Sequence, residues 1–340
     1  MKRLLLVAII TLLILFLFPL FLLGGKPASS SQKTPGATLP AATLPANRAV
    51  AEADANVAIR LLSGGKVSKI SLDKYLWGVV AAEMPASFAP EALKAQAVAA
   101  RTYTLYQMVH GPNKNHQDAD VCGDYRCCSA YISREQALKN WGQNAQVNAA
   151  KISQAISQTD GQVVLYQGAP IDAVFHSSSS GSTEDASRVW GAAVPYLKSV
   201  SSPESSDSVP NYYSTFRVSA ADFKASFLKT YPKANLSGDP AAWFQNEIRS
   251  PANKVLSLEV GGVKVKGVDL RTMFSLRSTS FRITISKDQI VFSVTGYGHG
   301  VGLSQYGSNA MAKAGKTYDQ ILKWYYSGTV LGKWTDVKRR

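Results

Sequence analysis

A long apolar stretch near the start is the feature that most limits how this chain can fold. Residues 4–23 are apolar except for Thr11 and Pro19, and at about 1.5 Å per residue such a helix spans the ~30 Å hydrocarbon core of a bilayer. The stretch is longer than the core of a typical signal peptide, and residues 24–27 offer no clear cleavage site. We therefore expect residues 1–25 to be an uncleaved membrane anchor rather than a signal peptide, with the rest of the chain outside the cytosol.

The next segment differs in composition and predicts a flexible linker. Residues 26–55 are rich in Pro, Ala, Ser and Thr and contain two closely similar four-residue stretches, at 37–40 and 42–45. Residues 56–335 then form the folded part. We divide it into a helical part at 56–158 and a part at 159–335 that combines strands with C-terminal helices.

The charge balance indicates an acidic partner. The chain has 37 Lys and Arg against 23 Asp and Glu, a net charge of +14. Without Lys2 and Arg3 of the anchor, the part expected outside the membrane carries +12 (35 Lys and Arg against 23 Asp and Glu), which suits phosphate-rich wall polymers or anionic lipid. Nucleic acid is not expected, because no basic run with interleaved aromatic residues is present.

Hydrophobic periodicity predicts helices in the first part of the folded chain. Apolar residues at helical spacing run from Leu72 to about Glu83, with Ser71 as a candidate N-cap. A second helix should begin at Pro90, since proline is favoured in the first turn, and continue to Met108. A third helical stretch is expected around 135–157.

Later in the chain the pattern changes to short apolar runs separated by turn residues, which is typical of antiparallel hairpins. The predicted hairpin pairs are 162–166 with 171–175, 255–260 with 263–265, and 281–285 with 290–294. Two helices, 305–313 and 317–326, should follow. The expected fold class is α+β: a helical region carrying a candidate catalytic glutamate, packed with a largely antiparallel β region, after an N-terminal transmembrane helix.

Glu83 is the most informative carboxylate. It lies at the expected C-terminal end of a helix, where the helix dipole disfavours a negative charge. Its apolar neighbours Val79, Val80 and Met84 disfavour the ionised form by desolvation. A raised pKa is what a general acid near neutral pH needs. The alternative is a solvated residue at a helix end.

Several sequence segments resemble the signature of the SpoIID/LytB family. They are EMP at 83–85, EALKAQAVAARTY at 91–103, HSSSSGSTE at 176–184, residues 190–197, and GYGHGVGLSQYG at 296–307. The resemblance covers most of residues 56–335. It implies a lytic transglycosylase that cuts the MurNAc-GlcNAc bond of peptidoglycan, with Glu83 as the catalytic residue in a substrate cleft between the two parts.

A transglycosylase can work with one carboxyl group, which protonates the leaving oxygen and then helps the 6-hydroxyl of the same muramic acid attack C1. The product carries a 1,6-anhydro end. An ordinary hydrolase would need a partner carboxylate about 5 to 9.5 Å away. The candidates for that partner, which keep hydrolysis open, are Asp73, Glu91, Glu184 and Asp185.

The resemblance also implies a biological setting. The protein would act in septal wall remodelling and engulfment during sporulation, on glycan strands whose stem peptides have been removed. Implied partners are an amidase/endopeptidase and a polytopic membrane protein. The competing function is a wall-binding amidase enhancer without catalysis. A cysteine peptidase ranks last, because the cysteines lie in a turn-rich loop.

Substrate-binding candidates come from the same matched segments. Lys94 and Arg101 are two helical turns apart and so share one face of the second helix, where they could contact substrate oxygens, support Glu83 or form an exposed basic face. The other candidates are His176, Ser177, Tyr196, His299, Gln305 and Tyr306. For His299, a core histidine held by backbone hydrogen bonds is the alternative.

A local cluster of soft ligands follows the second helix. His116, Cys122, Cys127 and Cys128 offer four ligands within 13 residues, enough for a tetrahedral structural zinc site. Some members of the family bind zinc in this region. The alternative is a disulfide between Cys122 and either Cys127 or Cys128, as an oxidising compartment would allow.

Overall fold

The computed structural model describes residues 53–111 and 114–336. The expected membrane anchor at 1–25 and all but the end of the expected linker at 26–55 lie outside the described residues. Within the described part of the chain, no helix is both long and apolar enough to cross a membrane.

The described residues combine helices and short strands, as expected for an α+β fold. In chain order the helices are α1 (Leu72–Glu83), α2 (Pro90–His110), α3 (Arg134–Trp141), α4 (Ala145–Gln158), α5 (Ala186–Trp190), α6 (Ala220–Thr230), α7 (Gly267–Met273), α8 (Gln305–Lys313) and α9 (Tyr318–Tyr325). The strands are β1 (Ala58–Ser63), β2 (Lys66–Ser71), β3 (Val121–Cys122), β4 (Gln162–Tyr166), β5 (Ala169–Pro170), β6 (Phe175–His176), β7 (Tyr213–Ser219), β8 (Phe244–Arg249), β9 (Val255–Val260), β10 (Val263–Lys266), β11 (Phe281–Ser286), β12 (Gln289–Thr295), β13 (Leu303–Ser304) and β14 (Val330–Lys333).

Strand pairing is mainly antiparallel, which confirms the expected sheet type. The two hairpins β9–β10 and β11–β12 pair as their sequence pattern predicts. The prediction for the first hairpin was wrong in its second strand: β4 pairs with β5, because the chain turns where Val174 N–H donates to the Asp172 carbonyl. The later residues instead form β6, which runs parallel to β13.

A first hydrophobic core, made by buried residues of 57–197 and 301–326, surrounds helix α2. Pro90 occupies the first turn of α2, where its missing N–H costs no intrahelical hydrogen bond. The alanines of α2 are small enough to let α1, α4, α8, α9 and β4 approach it closely. The expected helix around 135–157 is divided in two, because a 3-10 turn at Gly142–Asn144 separates α3 from α4. Strand β4 belongs to this first core.

A second core lies within one continuous segment, residues 212–295, which we call the strand lobe. Phe223, Phe274 and Phe292 form its aromatic centre, with ring centroids of Phe223 and Phe274 5.0 Å apart. The two ends of the segment are adjacent, since Gly296 N–H donates to the Tyr212 carbonyl at 2.9 Å. The chain therefore leaves the first core, builds the strand lobe and returns at the same place.

Candidate active site

Glu83 is the last residue of α1, and its carboxylate is held by two other parts of the chain. Oε1 accepts a hydrogen bond from the backbone N–H of Ala130 at 2.7 Å. Oε2 accepts one from the side-chain amide of Gln305, the first residue of α8, at 3.1 Å. The extended conformation of Met84 ends α1 at this point, so the carboxylate lies where three segments meet.

The surroundings of Glu83 favour its neutral form. Burial raises the pKa of the carboxyl above its usual range, and the hydrogen bonds from Ala130 and Gln305 oppose part of that rise. The side chain is only partly buried, so it remains accessible. A carboxyl group with a raised pKa and remaining access to solvent can donate a proton near neutral pH and stay hydrogen-bonded after losing it.

The position of Gln305 is fixed by the start of α8. Ser304 caps the helix by accepting from Gly307 N–H, and its hydroxyl donates to the buried Glu204 at 2.5 Å. Tyr306 N–H donates to the Ser177 carbonyl at 3.0 Å. Ser177 therefore supports the start of α8 through its backbone.

The two candidate histidines are both engaged by the fold. His176 is buried, with Nδ1 3.1 Å from the Val301 carbonyl and Nε2 2.7 Å from the Ser179 hydroxyl. His299 Nδ1 accepts from Val301 N–H, and Nε2 lies 3.0 Å from the Phe175 carbonyl. Burial lowers the pKa of His176 and lowers that of His299 to about 4. Both rings are thus neutral, and the alternative of a core histidine describes His299.

The four glycines that alternate with other residues at 296–302, just before α8, allow close backbone packing. Gly296, Gly298, Gly300 and Gly302 have φ values of 76°, 117°, 80° and 70°, which disfavour other residues. A side chain at Gly300 would also collide with Lys254, whose ammonium donates to the Gly300 carbonyl at 3.2 Å. Burial lowers the pKa of Lys254 to about 8. This buried contact joins the strand lobe to the loop that precedes Gln305.

The structure places Arg101 away from any substrate surface. Its side chain is fully buried, and its guanidinium donates to both carboxylate oxygens of Asp54, with Nη2 2.6 Å from Oδ2, and to the Gln162 carbonyl. Burial raises the pKa of Asp54, and the charge of Arg101 opposes that rise. The expected contact of Arg101 with substrate does not fit this position; the residue holds the first core together.

Lys94, predicted on the same face, is also paired. Its ammonium lies 2.7 Å from Oε1 of Glu91, whose other oxygen accepts from Tyr318 N–H. Lys94 is partly exposed, and its ammonium also lies 5.7 Å from the centre of the Tyr318 ring. The contacts of Lys94 therefore join α2 to α9.

Tyr196 belongs to a group of polar and aromatic residues that sequence reasoning identified only in part. Its hydroxyl accepts from the backbone N–H of Asp172 at 3.0 Å. Burial raises the pKa of Asp172 to about 6, and one of its carboxylate oxygens is buried without a hydrogen-bond partner. The charge of Asp172 adds to burial in raising the pKa values of Tyr103 and Tyr106. Asp172 has no helical periodicity or motif that would single it out.

None of the four candidate partner carboxylates is among the described hydrogen-bond partners of Glu83, which are Ala130 and Gln305. Asp73 is near the N-terminal end of α1, about 15 Å along the helix from Glu83. Glu91 is bound by Lys94 and Tyr318. Glu184 is buried, with Oε1 bound by Asp185 N–H and Arg188, and Asp185 caps α5. A fifth acid, the buried Glu204, has no motif or periodicity in the sequence that would have identified it.

The candidate zinc ligands come together in one cluster. The ligand atoms of His116, Cys122, Cys127 and Cys128 all lie within 4.8 Å of one another. His116 Nδ1 is 3.0 Å from the Ala119 carbonyl, which leaves Nε2, 3.2 Å from Cys128 Sγ, to face the thiols. The three cysteines are free thiols. Burial raises the pKa of the Cys128 thiol.

Known proteins resemble this chain over most of its length. The family described as stage II sporulation protein, SpoIID, matches residues 63–166. The chain is 39% identical over 267 residues to stage II sporulation protein D of Bacillus subtilis. The aligned region covers 78% of this chain and 76% of that protein. The chain is 37% identical over 305 residues to the protein of the same name from Bacillus amyloliquefaciens, covering 90% and 84%. A Bacillus subtilis protein named amidase enhancer is 31% identical over 309 residues, covering 75% of this chain and 40% of that protein.

Proposed function

Because the chain belongs to the SpoIID family of stage II sporulation proteins, we propose that it is a peptidoglycan lytic transglycosylase. Its substrate would be the MurNAc-GlcNAc bond of glycan strands without stem peptides, and its product a 1,6-anhydroMurNAc end. The observation that carries the proposal is Glu83: a partly accessible carboxyl group with a raised pKa and two hydrogen-bond donors.

Glu83 would act twice in one turnover. In the first step the protonated carboxyl donates its proton to the bridging glycosidic oxygen as the C1–O bond breaks. In the second step the carboxylate accepts the proton of the C6 hydroxyl while that oxygen bonds to C1. Ala130 and Gln305 support the ionised state between the two steps, because both donate to the carboxylate.

The surroundings of the four candidate partner acids favour this single-residue mechanism over hydrolysis. A hydrolase would need a second carboxylate about 5 to 9.5 Å from the first, free to bind water or attack the sugar. Glu91, Glu184 and Asp185 are instead bound by neighbouring groups of the fold, and Asp73 lies toward the far end of α1.

We also propose that His116, Cys122, Cys127 and Cys128 hold a structural zinc ion. Four ligands of the preferred types lie close enough to close a tetrahedral site, and the contact of His116 with Ala119 directs its second nitrogen at the thiols. Zinc would favour the thiolate form of the cysteines and cross-link the loop. A disulfide among Cys122, Cys127 and Cys128 is the competing proposal for an oxidising compartment.

The cellular setting belongs to the same proposal. A single-pass anchor at residues 1–25 would hold the described domain outside the cytosol, at the septum of a sporulating cell. The net charge of +12 beyond the anchor, from 35 Lys and Arg against 23 Asp and Glu, suits the acidic polymers of a cell wall. An amidase/endopeptidase that removes stem peptides and a polytopic membrane protein are the proposed partners.

A second candidate function rests on the relative named amidase enhancer. In this alternative the domain would bind wall polymer without cutting it. Both candidate functions require a surface that binds glycan, so a binding measurement does not distinguish them. They differ in whether Glu83 is needed to form 1,6-anhydro ends.

The deciding experiment compares the products of purified glycan incubated with the full-length chain, Glu83→Gln and the control Glu135→Gln. Glu135 is an exposed residue in the first turn of α3. The proposal requires 1,6-anhydro ends, detected by mass spectrometry, from the unsubstituted chain and the control, and at least a ~100-fold slower rate from Glu83→Gln. Glycan binding without 1,6-anhydro ends in all three proteins would instead support the enhancer function.

A further inference from the structure

Arg277 is an arginine whose guanidinium has no acceptor among residues 53–111 and 114–336. It follows α7 in the strand lobe, and no described residue accepts a hydrogen bond or forms an ion pair with its side chain. Its Nε is buried and unpartnered. The guanidinium lies over the Tyr297 ring, whose centre is 4.1 Å from Cζ. Arg249, on the same lobe, differs: its guanidinium binds Glu247 and the carbonyls of Asn253 and Phe281.

Backbone contacts place Arg277 beside the candidate active site. Its carbonyl accepts from Gly298 N–H at 2.9 Å, and the adjacent Tyr297 pairs with Ser178 through two backbone hydrogen bonds. This is the glycine-rich loop that continues into Gln305 and Tyr306. The positive charge of Arg277 also opposes the rise that burial causes in the pKa of Tyr306. The cation thus lies near Tyr306, which is next in the chain to Gln305, a hydrogen-bond donor to Glu83.

We propose that Arg277 binds a carboxylate of the glycan substrate. An unpartnered, partly buried guanidinium is unfavourable, and its planar donors match a carboxylate in a two-point contact. The Tyr297 ring holds the guanidinium plane without using its N–H groups, so those groups stay ready for a ligand. The inference rests on the proposed function and names the feature of the substrate that this side of the site recognises.

A glycan strand can supply that carboxylate in two ways. When stem peptides are absent, each muramic acid has a free carboxylate on its lactyl group. When stem peptides are attached, the lactyl carbonyl is an amide, and carboxylates occur only on the peptide. Recognition of the lactyl carboxylate would make the site selective for strands without peptides.

Binding is measured by calorimetry with the full-length chain carrying Glu83→Gln, so that the result does not depend on cleavage. Three strand preparations serve as probes: strands with free lactyl carboxylates, the same strands after conversion of these groups to carboxamides, and strands with stem peptides. Arg277→Gln is the test variant. The matched control is Arg282→Gln, an exposed arginine on β11 of the same lobe.

The parent and the control should bind free-carboxylate strands about tenfold or more tightly than carboxamide strands. Arg277→Gln should lose this preference, and Arg277→Lys should keep part of it. Tighter Arg277-dependent binding of peptide-bearing strands would support a carboxylate ligand and assign it to the peptide. The inference would be overturned if the parent and Arg277→Gln had the same preference for free-carboxylate over carboxamide strands. It would also be overturned if the parent bound no strand.

Two further readouts keep the result interpretable. Melting temperatures show whether Arg277→Gln is folded; if it is not, Arg277→Lys carries the test, because it keeps the charge and loses the two-point contact. The 1,6-anhydro assay with unsubstituted Glu83 is run separately. If binding depends on Arg277 but no strand is cleaved, the proposed function is contradicted and the inference stands. If strands are cleaved but Arg277→Gln keeps the preference for free-carboxylate strands, the proposed function stands and the inference is contradicted.

Discussion

The backbone N–H of Ala130 donates to Oε1 of Glu83 at 2.7 Å. Ala130 comes two residues after Cys128, which lies in the cluster of His and Cys residues. A change in that cluster can therefore reach the carboxylate through two residues of backbone and one hydrogen bond. The cluster and the candidate acid are physically connected although they are 33 to 45 residues apart in the chain.

The first prediction concerns the metal. Removal of zinc by a chelator, or Cys128→Ser, should lower the melting temperature and reduce kcat about 10- to 100-fold, because the Ala130 amide would no longer be held against Glu83. Metal content is measured by elemental analysis alongside the rate. Restoration of both properties by added zinc is the control. A purified chain without zinc that is fully active and has a Cys122 disulfide would support the alternative.

The second prediction concerns pH. A general acid must be protonated, so kcat/KM should fall as the pH rises through the raised pKa of Glu83. Gln305→Met removes a hydrogen bond that lowers this pKa, and the falling limb of the profile should move to higher pH. The exposed Gln154→Met on α4 is the control. If the falling limb of the kcat/KM profile lies at the same pH in Gln305→Met as in the unsubstituted chain, a group other than Glu83 controls that limb.

The third prediction tests the role of Arg101. Arg101→Met leaves Asp54 buried without its partner, and we expect the free energy of unfolding to fall by about 3 to 5 kcal/mol, measured in urea. Arg101→Met with Asp54→Leu should recover part of the loss. The exposed Arg217→Met should have little effect. Normal stability combined with a raised KM would instead restore Arg101 as a substrate contact.

The fourth prediction concerns Asp172. Burial raises its pKa to about 6 in the folded protein, so its contribution to stability is complete at low pH and declines as the pH rises through that value. Asp172→Asn should therefore leave stability unchanged at about pH 3, below the unfolded-state pKa, and increase it by about 1 to 2 kcal/mol at about pH 8. The exposed Asp207→Asn is the control. An equal effect of Asp172→Asn at both pH values would contradict the shift.

Local features of the site could be predicted from sequence. The end of α1 at Glu83, its apolar neighbours and the direction of its pKa shift follow from residues close together in the chain. The same holds for the meeting of His116, Cys122, Cys127 and Cys128, which lie within 13 residues of sequence. The β1–β2 hairpin was missed, although the alternating Ile59 and Leu61 before Gly64 and Gly65 are a usable signal.

Partnerships between distant residues could not be predicted. Asp54 is 47 residues from Arg101, and no local pattern indicates that the two charges meet in the first core. Asp172 and Arg277 lie in irregular segments without periodicity. Their importance depends on which groups surround them after folding, and a single sequence does not contain that information in local form.

The hydrogen bond between Gly296 and Tyr212 has a consequence for how chains of this kind can diversify. Because the strand lobe begins and ends at one point, it can be lengthened, trimmed or exchanged as a module without re-threading the segments that hold Glu83. Arg277 belongs to this module, whereas Glu83 does not. If Arg277 binds the substrate as proposed, replacement of this one segment would change the substrate preference while Glu83 is retained.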